Sequence, residues 1–146
     1  MSAAADDHAS IKAWFDTWSC YVASVDYDSA RPMFAEDLVA FGTWMDIVKG
    51  REVVIEKQWK SIWGTIKDFR FLTDTLQVRV SPDRLFAVAV LVWDSTGFHD
   101  NGDPYPRPGR GTVGMRRAAV DAPWMGIHTH LSLNRGVPQK SFGPPA

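Results

Sequence analysis

The segment Phe69-Arg-Phe-Leu-Thr-Asp-Thr-Leu-Gln-Val-Arg-Val80, Ser81-Pro-Asp-Arg84, Leu85-Phe-Ala-Val-Ala-Val-Leu-Val-Trp93-Asp-Ser95 decides the fold. Two runs rich in β-branched and aromatic residues flank a Ser-Pro-Asp turn, which is the pattern of a long hairpin. Working toward the C-terminus, Arg110 to Arg117 reads as a third long strand. Ala118 to Pro123 reads as a turn and Trp124 to Leu133 as a fourth strand. Between the second and third lies Thr96 to Pro108, with Gly97, Asn101-Gly102, Asp103-Pro104, Pro106 and Pro108. That many breakers predict a long loop held at both ends, a candidate lid. Gly136 to Ala146 is expected to be a tail with no core of its own.

Working toward the N-terminus, the texture is helical. From Ala9 to Val25, Ile11, Trp14, Phe15, Trp18, Val22 and Val25 fall on one stripe, and Cys20 lies opposite it. A short helix is predicted over Tyr27 to Phe34, with Pro32 in its first turn or breaking it. Leu38 to Trp44 and Asp46 to Val48 read as strands. Arg51 to Ile66 returns to helical period, with Val54, Ile55, Trp59, Ile62, Trp63 and Ile66 on one face. Helices followed by strands predict an α+β domain over 9–135, between a 1–8 extension and a 136–146 tail. The N-terminal helices cover one face of a strongly curved antiparallel sheet and leave a pocket between the layers.

A length of 146 residues suits one core. Sixteen Lys and Arg against 17 Asp and Glu give a net charge of −1, so no global field favours nucleic acid or an anionic membrane as a partner. One cysteine excludes an internal disulfide and any multi-cysteine metal site. The N-terminus shows no export signal, and the longest apolar run, Leu85 to Trp93, is too short for a membrane helix, so a cytoplasmic protein is expected. The distinctive figure is seven Trp.

Val25-Asp-Tyr-Asp-Ser-Ala-Arg-Pro-Met-Phe34-Ala-Glu-Asp37, Val48-Lys-Gly50-Arg-Glu-Val and Trp124-Met-Gly-Ile-His128-Thr-His130-Leu-Ser132 come in that order. Together they resemble the nuclear transport factor 2-like superfamily over nearly the whole chain. The likeness is strongest to SnoaL-like and ketosteroid isomerase-like domains, and to the association domain of calcium/calmodulin-dependent kinase II. The last carries a similar Trp-x-x-x-His-x-His-x-Ser ending followed by Gly and Pro, here Gly136 and Pro138. The resemblance implies a cone of helices on a bent sheet, a pocket in the cone, and a dimer through the sheet's outer face. It implies no single activity. The landmarks of ketosteroid isomerase put Trp18 at its tyrosine, Gly42 at its base and Thr112 at its protonated acid, so those roles are not retained. The association domain's pocket arginines fall on Val92 and Thr112.

Strand alternation then assigns the pocket. By the resemblance, Ala87, Ala89, Leu91 and Trp93 face inward, with Thr112, Gly114, Ile127, Thr129 and Leu131. The expected ligand-binding set is Trp14, Trp18, Phe41, Trp44, Ile55, Trp59, Trp63, Leu91, Trp93, Thr112 and Thr129. It would hold a small, mostly apolar or aromatic molecule, with no cofactor and no metal. A tightly filled core is the competing reading, since Trp and small residues also interdigitate in ordinary packing. Asp46, Tyr21, His99 and Asp100 are the candidates for a titratable group if the protein is a cofactor-independent isomerase, dehydratase or cyclase. The alternative is an oligomerisation module. A homodimer is expected through Trp124, His128, His130 and Ser132 on the outer face. His128 and His130 have the spacing of a metal pair, but outward parity argues against that use. Gly109-Arg-Gly111-Thr-Val-Gly114 enters a strand and opens no helix, so it is not a dinucleotide loop. Arg107, Arg110, Arg116 and Arg117 read as a solvated basic edge.

Overall fold

A computed structural model describes residues 2–146. Helix α1, Ala3–Ser24, begins well before Ala9 because Ser2 caps it, its hydroxyl accepting from the Ala5 N–H at 3.2 Å. It ends at Val25 in the left-handed region (φ 55°), whose N–H bonds back to Tyr21 and Val22. Ile11, Trp14, Phe15, Trp18 and Val22 form its buried face, the stripe read from the sequence. Helix α2, Tyr27–Ala30, is capped by Asp26 and tightens into a 3-10 turn, Arg31–Met33, around Pro32. Strand β1, Phe34–Phe41, therefore starts before the predicted Leu38. After the short β2, Val48–Lys49, a helical run follows: α3, Arg51–Val54, a π turn at Ile55–Trp59, α4, Lys60–Ile62, and a 3-10 turn at Trp63–Thr65.

The remaining strands are β3, Lys67–Val80, β4, Phe86–Phe98, β5, Pro104–Pro106, β6, Gly109–Arg116, and β7, Met125–Leu133. They form one sheet of order β2-β1-β7-β6-β4-β3, with β5 added to β4. The fold is the expected α+β arrangement, helices on a curved open sheet. The sheet is mixed, because β1 runs parallel to β7 while the other neighbours are antiparallel. In β3 the register to β4 slips between Leu72 and Gln77. There the Thr75 hydroxyl accepts the Val92 N–H at 3.1 Å, and a bulge of this kind bends a sheet. No helix among the described residues is long and apolar enough to cross a membrane.

Cross-strand partners share a face, so register shows where the sequence reading of parity holds and where it fails. On β4, Ala87, Ala89, Leu91 and Trp93 are buried as expected. Their partners on β6 are Met115, Val113, Gly111 and Gly109, which makes the odd positions the inner ones. Thr112 consequently lies on the outer face, opposite Val90 and His130, and is not a pocket residue. On β7 the pairing jumps from Gly114–His128 to Met115–Gly126, leaving Ile127 as an extra residue. That bulge reverses parity: Thr129 is buried while His128 and His130 face outward with Ser132, yet Trp124 and Gly126 turn inward. Trp124 is therefore not on the outer face. It is buried, donates to the Ser10 hydroxyl at 3.0 Å, and lies under the Arg117 guanidinium at 4.0 Å.

That arginine belongs to a buried ion cluster at the base of the cone. Asp7 accepts from Arg84 Nε and Nη2, both at 2.8 Å, and from Arg117 Nη2 at 2.7 Å, while Arg117 Nε donates to the Arg84 carbonyl at 2.8 Å. The Arg84 hydrogen bonds chiefly hold the Asp7 carboxyl at a pKa of about 2; burial opposes them and Arg117 reinforces them.

At the other end, Thr96 to Pro108 is not the predicted lid. β4 continues through Phe98 and returns as β5, pairing Thr96–Pro106, Gly97–Tyr105 and Phe98–Pro104. Gly97 permits this hairpin because the Tyr105 ring lies where a Cβ would stand. The tail is also fixed in part. Ser141 is buried, its hydroxyl accepting from Phe98 N–H at 2.9 Å and donating to the Thr65 carbonyl, and the Tyr105 hydroxyl donates to the Lys140 carbonyl at 3.0 Å.

Candidate functional site

Trp18 from α1, Trp59 and Trp63 from the helical run, and Trp93 from β4 surround one cavity of about 40 Å³, closed also by Phe69, Thr129 and Leu131. Trp59 and Trp63 stack with centroids 4.6 Å apart and planes at 19°. Phe69 tilts against Trp93 at 5.9 Å. The Trp93 ring lies so close to the β6 backbone that a Cβ at Gly109 would overlap it, which is the structural reason for the first glycine of the G-x-G-x-x-G segment. Five residues of the expected set, Trp18, Trp59, Trp63, Trp93 and Thr129, thus share one wall.

The others do not. Trp14 lies away from it, edge-on to Phe34 at 5.3 Å, and Ile55 and Leu91 are filled into the core. Phe41 lies on the outer face beside the His130 ring, 4.9 Å away, because its register partner on β7 is His130. Trp44 is 58% exposed on the loop after β1. Of the proposed titratable groups, Asp46, His99 and Asp100 are exposed, and Tyr21 lines a separate surface groove with Trp14 and Pro32. Among the described residues there is no cluster of three metal-ligating side chains; the His128 ring nitrogen Nδ1 lies 2.8 Å from the Val39 carbonyl.

Gln58 and Arg107 also line the cavity wall, where the sequence reading did not place them. Gln58 sits on the same helical stripe as Val54 and Ile62, four residues from each, and is buried with Trp59. Its amide lies against Gly42. Arg107, read as part of a solvated edge, is only 2% exposed. Its backbone is clamped to Ser95, N–H to carbonyl at 2.8 Å, and the Ser95 hydroxyl donates to the Arg107 carbonyl at 2.6 Å. Burial pushes its pKa down from the ordinary guanidinium value, with the Tyr105 phenol acting the other way. Arg117 is buried too, whereas Arg110 and Arg116 are exposed, so the supposed basic edge divides two and two.

Four buried donors on this wall have no hydrogen-bond partner among the described residues: Trp18 Nε1, Trp93 Nε1, Gln58 Nε2 and Arg107 Nε. Arg107 and Ile62 also form part of a second, larger groove of about 600 Å³, bordered by Trp44, Thr65 and the tail residues Lys140 and Phe142. Cavity and groove thus meet at Arg107, the one inside the cone and the other at its mouth.

A family model described as a SnoaL-like domain matches residues 11–135. The chain is similar in structure to a protein from Xanthomonas campestris described as a calcium/calmodulin-dependent protein kinase II association domain, with 25% identity, a TM-score of 0.70 and 87% of each chain covered. It is similar also to an NTF2-like protein of Pseudomonas putida, at 24% identity and a TM-score of 0.71 over 100% of this chain and 99% of that one. A ketosteroid isomerase-like protein of Erwinia carotovora shares the fold at 16% identity, with a TM-score of 0.69 and 86% and 94% covered. No curated protein shows significant similarity to the chain.

Proposed function

The chain belongs to the SnoaL-like domain family, and from that premise we propose that it binds a small, mostly apolar or aromatic molecule between the tryptophan-walled cavity and the adjoining groove. One observation carries this reading: four tryptophans from three separate elements converge on one cavity that shares a wall with an open groove. Among the described residues Arg107 is the only ionisable side chain lining that cavity, and a guanidinium is a poor general base. Binding without proton transfer is therefore favoured over isomerase, dehydratase or cyclase chemistry.

Titration with 3-phenylpropanamide, an uncharged probe, tests the reading through tryptophan emission. A saturable change is expected in the native chain and none in Leu131→Trp, which fills the cavity. A signal that survives in Leu131→Trp would place binding elsewhere.

A second proposal, a homodimer, is favoured by the outer face of β4. Phe86, Val88, Val90 and Val92 stand there in one row, 37–43% exposed, beside Thr112 and His130. Such a row in water favours a partner of the same kind, and a twofold contact would cover it. The dimer surface is accordingly His128, His130 and Ser132 with the β4 valines, without Trp124. Sedimentation at micromolar concentration should give a dimer that Val90→Lys converts to monomer; a native monomer contradicts it.

A further inference from the structure

Arg107 is buried, and no Asp or Glu among the described residues lies within ion-pair distance of it. Its Nε has no partner, Nη2 makes a long 3.4 Å contact with the Thr43 hydroxyl, and the neighbouring Tyr105 phenol carries no charge at neutral pH. Nε and Nη2 form the edge of the guanidinium that grips a planar carboxylate through two parallel hydrogen bonds. The same cavity wall supplies the unpartnered Gln58 Nε2 and the indole N–H groups of Trp18 and Trp93, and all of these donate. Buried water could accept from them, but water carries no charge and leaves the guanidinium uncompensated.

Resting on the reading that the cavity binds a small molecule, we propose that the molecule is a monocarboxylate, its carboxylate held in the inner cavity by Arg107 and Gln58 and its apolar body lying in the outer groove. The two volumes agree with this orientation. The inner cavity, about 40 Å³, has room for a group of carboxylate size and not for an aromatic ring. The groove, about 600 Å³, has Trp44, Ile62 and Phe142 to cover an apolar body. A phosphate would bring a second charge to an inner cavity lined by one cation, and the flat guanidinium edge matches the two oxygens of a carboxylate.

Calorimetric titration of the full chain at neutral pH with 3-phenylpropanoate and its uncharged isostere 3-phenylpropanamide tests this. The acid should bind about tenfold or more tightly than the amide. Arg107→Met should remove that preference, so that acid and amide bind alike in the variant, and Gln58→Leu should reduce it. Arg107→Lys, which keeps the charge without the fork, should retain part of it and covers the case in which Arg107→Met does not fold. Equal binding of acid and amide overturns the carboxylate assignment while leaving the cavity reading intact. So does a preference that persists unchanged in the folded Arg107 variants. Binding of neither probe up to about 10 mM overturns both.

Discussion

Strand β6 has a buried arginine at each end, and the two are provided for in opposite ways. Arg117, just past its C-terminal end, is 7% exposed, bonded to the Asp7 carboxylate and the Arg84 carbonyl, and laid over Trp124. Arg107, just before its N-terminal end, is 2% exposed with no carboxylate beside it and an unpartnered Nε. A buried cation costs several kcal/mol unless it is paired, so the first has its charge compensated within the fold and the second does not. The charge at the base of the cone is balanced within the fold, and the mouth is the end at which we propose that a ligand binds. Burial alone does not separate a structural arginine from a ligand-binding one; the identity of the nearest anion does.

Breaking the base should have the largest effect. Arg117→Met leaves Asp7 buried with half its partners and removes the cation over Trp124, and should destabilise by about 3–5 kcal/mol in a urea melt. A loss of under about 1 kcal/mol would mean that the cluster is not what closes the base. Acid should sharpen the same contrast at somewhat smaller scale. Because the Asp7 pKa is lowered to about 2, its contribution is complete above the ordinary carboxylate value and is lost as pH falls toward about 2. The drop should be roughly 2–3 kcal/mol. Comparing urea midpoints of the native chain and Asp7→Asn from mildly acidic to strongly acidic pH isolates it: the native chain should lose its advantage across that window, and parallel curves would contradict the assignment.

The base and the mouth were unequally legible in the sequence. The helical stripe of α1, the β3–β4 hairpin and the inner parity of β4 follow from simple periodicities, because a buried face repeats at 3.6 or 2 residues. Errors arose where one residue is inserted into a regular element. One such insertion is the bulge at Ile127, which turns Trp124 inward while His128 and His130 keep the outward parity expected of them. Gln58 escaped notice for another reason: it lies on the helical stripe, four residues from Val54 and from Ile62, but is polar among apolar residues. Thr112 was misplaced by carrying over a relative's parity one residue out of step. Arg107 left no local signal: between Pro106 and Pro108 it reads as loop, and its burial depends on the β5 return and the tail at Lys140 and Ser141 folding across the mouth. Within the run of glycines and prolines that suggested a free lid, Gly97 instead permits close approach of the Tyr105 ring, and Gly109 just beyond it does the same for Trp93.

The smallest effect tests the account most directly. In the ligand-free chain, Arg107→Met replaces an uncompensated buried charge with an apolar side chain of similar length. Its urea midpoint should stay within about 1 kcal/mol of the native value or rise. A loss comparable to that of Arg117→Met would show that Arg107 holds the fold together as Arg117 does, and would contradict the claim that the mouth of the cone is built to hold a ligand.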